Sequence, residues 1–283
     1  MKIHPFPNRL LAALVATAAL LPSCQKDIDL KIKPFEPKMV LSSFIAADSL
    51  ISVHVSRTWT LGEDLPSDLL EDAELSIHIN GLLQPPQQAI ARAGDSVSIA
   101  VRKAGYPEVS AEVVVPALTP LLSIDTLRFK EAGSGPLLRC LIRFKDLEAG
   151  RKNYYRLIVE PEVYFQYSQD AALSEGFKDV NDEILGTAKD NLYGIFTDEL
   201  FDGKEYTLNI SFSPRLSLEE VRYSFKLVSL SPSAYFYYKS LLFHNSGDDY
   251  FTEPSAIYTN VANGLGIVGA YQTSTLSIAA SGL

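Results

Sequence analysis

The chain has 283 residues, with 34 acidic against 25 basic side chains and a formal charge of −9. That balance argues against a nucleic-acid-binding protein, which needs a basic face. Two cysteines and four histidines, without an H-E-x-x-H or paired-cysteine spacing, give neither a disulfide framework nor a recognisable zinc site.

Residues Leu10 to Leu21 are almost unbroken apolar, with Lys2 and Arg9 upstream and Leu21-Pro22-Ser23-Cys24 closing the run. A charged stretch, an apolar stretch and small residues at a cleavage point make a signal peptide. A cysteine at that point reads as a bacterial lipobox, cut before Cys24 so that Cys24 carries the lipid. The run is too short for a transmembrane helix, which needs ~20 apolar residues. A plain secretory signal cut at another site is the remaining alternative. Losing residues 1–23 removes Lys2 and Arg9 and no acid, so the mature 260-residue chain keeps 23 basic and 34 acidic residues, a charge of −11. That length is ample for two sandwiches, each with its own core. With Cys24 lipidated, Cys140 has no partner, and no intrachain disulfide is expected.

Residues 24–36 read as a tether containing Pro34. Beyond it, apolar and polar residues alternate with the period of a half-buried strand. Ile51, Val53 and Val55 share one face, then Leu75, Ile77 and Ile79. Asn80-Gly81 follows at once and predicts a tight hairpin, because both residues accept positive φ. Val97, Ile99 and Val101 predict a further strand, as do Val109, Ala111, Val113 and Val115, stopped by Pro116. Short strands separated by turn signals predict a sandwich over residues 37–117.

Pro116–Pro120 reads as a junction, after which a second β-rich domain is expected over 118–283. Leu138, Cys140, Ile142 and Phe144 share a face, followed by Tyr155, Leu157 and Val159. On that face Cys140 is a small buried hydrophobe rather than a reactive thiol. Residues 168–190 are polar and read as a long loop or partly helical insertion. Tyr206, Leu208, Ile210 and Phe212 resume the alternation, then Val221, Tyr223, Phe225 and Leu227. One helix is predicted over 232–244, with Ser231 as cap and Pro232 at the first helical position. The predicted class is all-β: two immunoglobulin-like or transthyretin-like sandwich domains, the second with one packed helix.

Several motifs look chemical and fail on context. Gly264-Leu265-Gly266-Ile267-Val268-Gly269 matches G-x-G-x-x-G, but a dinucleotide site needs a helix after it and an acid ~20 residues on. Here Gln272 to Ile278 reads as a strand, and no acid follows Gly269. His54 and His78 lie on polar strand faces. Asp248-Asp249 lacks the spacing of a calcium loop. No catalytic residue, cofactor or metal ligand is assigned, and the chain is expected not to be an enzyme.

The stretch Phe251 to Ala270 is distinctive. It has Glu253-Pro254, an extended run, Asn260, then Asn263-Gly264-Leu265-Gly266 and the pair Val268-Gly269. It resembles the end of domain-of-unknown-function family 4249. Cys24 followed by Gln-Lys-Asp-Ile-Asp-Leu, a strand opening at Ala73, Val115-Pro116, Asp198 with Asp202-Gly203, and the tyrosine-rich helix agree in order. The resemblance covers essentially all of residues 24–275. It implies an outer-membrane lipoprotein of the Bacteroidota, frequently associated genetically with TonB-dependent outer-membrane receptors, and it brings no catalytic residues. Gln25-Lys26-Asp27 is similar to a surface-export signal, while Ile28 interrupts its acidic run and leaves the leaflet open. The expected partners are the membrane, through Cys24, and a TonB-dependent receptor. A surface adhesin or structural lipoprotein, and a hydrolase with an unrecognised site, are the alternatives. Tyr258, Asn260 and Asn263 are candidate partner-binding residues. The competing account makes the same segment a turn needing positive φ, with Tyr258, Val261 and Ile267 packed on the helix.

Overall fold

Among the described residues, thirteen strands and one α-helix build the body. In this computed structural model the described residues are 36–59, 70, 72–130, 136–162, 184–185, 191, 194–212, 222–245 and 255–279. Cys24 and the 168–190 insertion lie outside them, apart from Ile184 and Leu185. The strands are β1 (Met39–Ala46), β2 (His54–Arg57), β3 (Glu74–Ile79), β4 (Leu82–Gln84), β5 (Ser96–Arg102), β6 (Val109–Val114), β7 (Leu121–Lys130), β8 (Pro136–Lys145), β9 (Tyr154–Glu162), β10 (Ile195–Thr197), β11 (Glu205–Phe212), β12 (Arg222–Leu230) and β13 (Leu265–Ala279). The helix α1 spans Pro232–Asn245, between β12 and β13.

The strands form three sheets, ordered β10-β9-β12-β13-β1-β2, β11-β8-β7 and β4-β3-β5-β6. The all-β class with one helix is therefore what the chain adopts. The alternation explains it locally. Val97, Ile99 and Val101 are fully buried on β5, while Leu138, Cys140, Ile142 and Phe144 are fully buried on β8. Each such side chain contributes ~1.5–3 kcal/mol by leaving water. Asn80 and Gly81 take φ of 52° and 80°, and the β3–β4 hairpin closes around them. The Asn80 side chain supports the turn, accepting the Ser96 N–H at 3.0 Å and donating to Asp95 at 2.8 Å.

β13 organises the largest sheet. Leu265 to Tyr271 pair in parallel with Val40 to Ala46, and Tyr271 to Ala279 pair antiparallel with β12. The strand thus changes partner at Tyr271. β1 and β2 thereby share a sheet with β9, β10 and β12, so one sheet crosses the 117/118 boundary drawn from the sequence.

Two main cores result. One fills the space between β7, β8, β11 and β9, β12, with Phe144, Tyr155, Phe196, Phe201 and Phe225. The other joins β1 to β3, β5 and β6, and is completed by Val261, Val268 and Ala270 from the C-terminal end. β12 is buried on nearly every residue. Phe225 and Leu227 enter the first core, whereas Val228 and Leu230 meet Ala234 and Tyr235 of α1.

Candidate functional site

The sequence-predicted residues Tyr258, Asn260 and Asn263 lie on the segment that leads from α1 into β13. Two of them are committed to the protein's own backbone. The Asn260 amide accepts the Val268 N–H and donates to the Val268 carbonyl, both at 2.9 Å. It imitates one rung of a neighbouring strand. Asn263 takes a left-handed φ of 59° and donates to the Glu108 carbonyl at 3.2 Å. Between them, Ala262 bridges to Ser110, with its N–H on the Ser110 carbonyl at 2.8 Å. The segment therefore stitches β6 to β13.

The glycines divide their work differently from the positive-φ turn predicted at Gly264. Among the motif's glycines, positive φ falls on Gly266, at 108°. Gly264 is needed for space: a Cβ there would lie 2.6 Å from Val109 Cγ1 and 2.7 Å from the Met39 carbonyl. A Cβ on Gly266 would run into the Leu41 carbonyl. Both close approaches let β1 lie alongside β13. Nor does Val261 pack on the helix, since it joins the β1–β5–β6 core instead.

Tyr258 differs from the two asparagines. Its N–H is held by Ser240 Oγ at 2.9 Å, and its ring lies 5.8 Å from that of Phe236 and remains 36% exposed. It is continuous with the outer side of α1. That helix starts firmly on β13. Ser231 Oγ accepts the N–H groups of Ala234 and Ala270, and Ser233 donates to the Val268 carbonyl. Ala234 and Tyr235 face inward, with the Tyr235 ring tilted against that of Tyr154 at 4.7 Å between centroids. Outward lie Phe236, 40% exposed, and Phe243, 63% exposed. A surface helix normally turns a polar face to water. This one carries aromatic side chains on both sides. Ile257, Tyr258 and Phe44 extend the exposed apolar surface, Phe44 through ring contacts at about 6 Å with Tyr237 and Tyr238. Arg156 sits over Tyr238 at 4.8 Å and Lys239 over Tyr235 at 5.9 Å, so cation–π contacts edge the patch.

A second cluster was not singled out for chemistry in the sequence. Asp146, Asp198 and Asp202 bring carboxylate oxygens within 4.8 Å of one another, the first two buried. Their oxygens serve the fold. Asp146 accepts from Asn153 Nδ2 at 3.0 Å, Tyr155 OH at 3.3 Å and the N–H groups of Glu148 and Gly203. Asp198 accepts the Asn153 N–H and Asp202 the Gly150 N–H, each at 2.8 Å. The trio clamps the turn after β8 to the turn before β11. Burial pushes the Asp198 carboxyl above its ordinary value, helped by the nearby charges of Asp146 and Asp202. Burial also raises the Tyr155 phenol, and it pushes the Cys140 thiol up to about 12. Cys140 is thus a packed hydrophobe, without thiolate character.

The remaining motifs do not converge. His54 and His78 lie in different sheets. Gly264 to Gly269 runs straight into β13, with no helix after it. A cleft of about 440 Å³ is lined by Asp72, Glu74, Arg102, Lys103, Tyr106 and Glu108. Both of its cations are paired, Arg102 with Glu108 at 2.7 Å and Lys103 with Asp72.

A family model described as a domain of unknown function, DUF4249, matches residues 25–277. The chain belongs to the DUF4249 family. The match includes the clamp around Asp198 and Asp202-Gly203, the helix and the Asn260–Gly266 segment, which are also the landmarks read from the sequence. No curated protein and no solved structure matches the chain.

Proposed function

We propose that this DUF4249 protein is an outer-membrane lipoprotein, anchored through Cys24, that acts without catalysis as an accessory or binding component beside a TonB-dependent receptor. The observation that carries a binding role is the outer face of α1. Phe236 and Phe243 on the helix, with Ile257 and Tyr258 on the segment that follows it, keep apolar surface in water. Exposed apolar patches on exported proteins mark interaction surfaces, and aromatic anchors dominate such interfaces. The lipobox supports the anchor, and the family resemblance supports the receptor. The side chains of the Asn260 and Asn263 candidates are spent on backbone carbonyls and amides, so the partner-facing role passes to Tyr258 and the helix.

The test is photo-crosslinking in cells. A photoreactive residue replacing Phe243 should give a crosslinked species with an outer-membrane β-barrel protein, extracted with detergent. The same residue at Asp95, at the far hairpin, should give none. Equal crosslinking from both positions, or none from Phe243, sinks this reading. Cys24→Ala should move the protein to the soluble fraction or leave an uncleaved precursor. Protease treatment of intact cells should remove the body if it faces outward and spare it if it faces the periplasm.

A further inference from the structure

We propose that the second half of β13 is a seat for a second copy of this chain, which adds its own β13 antiparallel, edge to edge, across a two-fold axis at Leu276. β13 has a partner on both sides only as far as Tyr271. There the pairing with β1 ends, closed by the Ala47 N–H on the Tyr271 carbonyl at 3.3 Å, while the pairing with β12 runs on to Ala279. Among the described residues no strand pairs with Gln272 to Ala279 on the side that β1 leaves. The chain that crosses here passes beneath the sheet rather than along its edge. The Pro116 carbonyl accepts from Gln272, the Thr119 N–H is held by Ser229 Oγ and the Leu121 N–H by Ser274 Oγ. By the strand register these side chains share the face of Phe225 and Leu227, which meets the aromatic core.

An open edge is a template for another strand, and proteins blunt theirs with charge, proline, a bulge or short length. The other edges of this body are blunted. β4 and β10 are three residues long. β6 is bridged by Ala262, and β2 holds the Leu70 N–H on its Val55 carbonyl. β7 starts with a break in register and carries Asp125, Arg128 and Lys130, and β11 opens on Glu205. From Gln272 to Ala279, β13 has no charge, proline or glycine, a composition that favours strand pairing.

Neutrality also names the occupant. The mature chain is strongly acidic, so two copies repel over most of their surface. Beside this edge the charges cancel, Lys226 against Glu160 at 2.6 Å and Arg222 against Glu162 at 3.1 Å. Set antiparallel against itself about Leu276, the strand places Leu276 opposite Leu276, Ser274 opposite Ile278 and Thr275 opposite Ser277. No charge meets its like, a pairing that would be destabilising. Leu276 and Ile278 are only partly buried, and this register covers them. Thr275 and Ser277 are exposed together on the other face. Main-chain hydrogen bonds supply the affinity of strand addition, and a two-fold contact closes at two copies.

The test is disulfide cross-linking at that register in cells. Two differently tagged copies of the full chain are co-expressed, one carrying Thr275→Cys and the other Ser277→Cys. Directly opposite residues lie about 4.5–5.5 Å apart at Cα, within disulfide reach. Thr275 and its own counterpart are diagonal neighbours at about 7–8 Å, beyond that reach. Cys140 is buried and does not compete. Mild oxidation should join the mixed pair into a dimer that reductant releases. Two Thr275→Cys copies should give none, nor should two copies with Thr207→Cys, which is exposed on β11. Light scattering on the detergent-extracted full chain gives a second reading. Thr275→Lys puts a charge on the edge and should shift the protein mass from dimer to monomer with its circular dichroism unchanged. No cross-link from the mixed pair, equal cross-linking from Thr207→Cys, or a dimer mass that survives Thr275→Lys overturns the seat.

Discussion

The two main cores of this body are built on opposite plans. The core between β7–β8–β11 and β9–β12 is aromatic. Phe144 sits at its hub, 5.3 Å from Phe201 and about 6 Å from Tyr155, Phe196 and Tyr206. Its members all fall between Leu121 and Ile278. The core under β3, β5 and β6 is aliphatic, filled by valine, isoleucine and alanine. It draws Met39, Leu41 and Ile45 from one end of the chain and Val261, Val268 and Ala270 from the other. One core is closed by its own half of the sequence. The other is closed by a strand and a motif that arrive last. The C-terminal glycine-asparagine segment, the stretch most distinctive in the sequence, is the lock of the second core.

That difference breaks most sharply by truncation. A fragment of residues 37–117 keeps β1 to β6 but loses β13 and the Ala262–Ser110 bridge. It also uncovers the apolar faces of β1 and β6. It is expected to give no cooperative urea transition by circular dichroism, whereas the full chain unfolds cooperatively. A fragment that folds as well as the full chain would show that β13 adds nothing to the second core.

Next in size are substitutions in the lock itself. Gly264→Val forces a branched side chain against Val109 and the Met39 carbonyl, and should cost ~3 kcal/mol or more, because β1 cannot retreat without opening the core. Asn260→Ala leaves the Val268 N–H without its side-chain partner, while the Val268 carbonyl keeps the Ser233 hydroxyl. One buried N–H left unpaired, beside a carbonyl that keeps one of its two side-chain bonds, should cost ~1–3 kcal/mol. Urea midpoints measure both. An Asn260→Ala protein with wild-type stability would return that side chain to the pool of partner-binding residues.

Legibility in the sequence followed the same divide. β5, β6, β8 and β11 were readable because one face meets a core and the other meets solvent, so the period of two survives. The Asn80-Gly81 hairpin was readable from turn chemistry, and α1 to within one residue at its end. β1 escaped because Ser43 occupies a buried position, donating to the Ser52 carbonyl at 2.7 Å, which interrupts the apolar alternation. The first half of β13 escaped because its glycines, read as turn residues, serve close approach to β1. No local pattern announces a parallel partner from the opposite end of the chain. For the same reason Asn260 was legible as a distinctive residue but not as a strand mimic. Its partner Val268 lies beyond two glycines that conceal the strand.

The aromatic core holds the smallest and most pH-specific effect. Asp198 is buried beside Asp146 and Asp202, and burial followed by those charges raises its carboxyl above 3.8, the ordinary aspartate value. The sign follows from proton counting. Just above that value the unfolded chain has released its proton while the folded protein still holds it. Stability is therefore full below the unfolded value and falls as pH rises through the folded one. In an Asp198→Asn protein the side-chain amide would keep an oxygen for the Asn153 N–H and would offer its new NH₂ to the neighbouring carboxylates. The substitution also removes the charge whose burial is unfavourable. Its expected outcome is a urea midpoint at neutral pH equal to or slightly above that of the parent, and a flatter fall in stability as pH rises above the ordinary aspartate value. A loss of about 2 kcal/mol or more at neutral pH, of the size seen when a needed buried charge is removed, would mean that the carboxylate works as a charge. The turns after β8 and before β11 would then be held by electrostatics rather than by the hydrogen bonds that define the clamp.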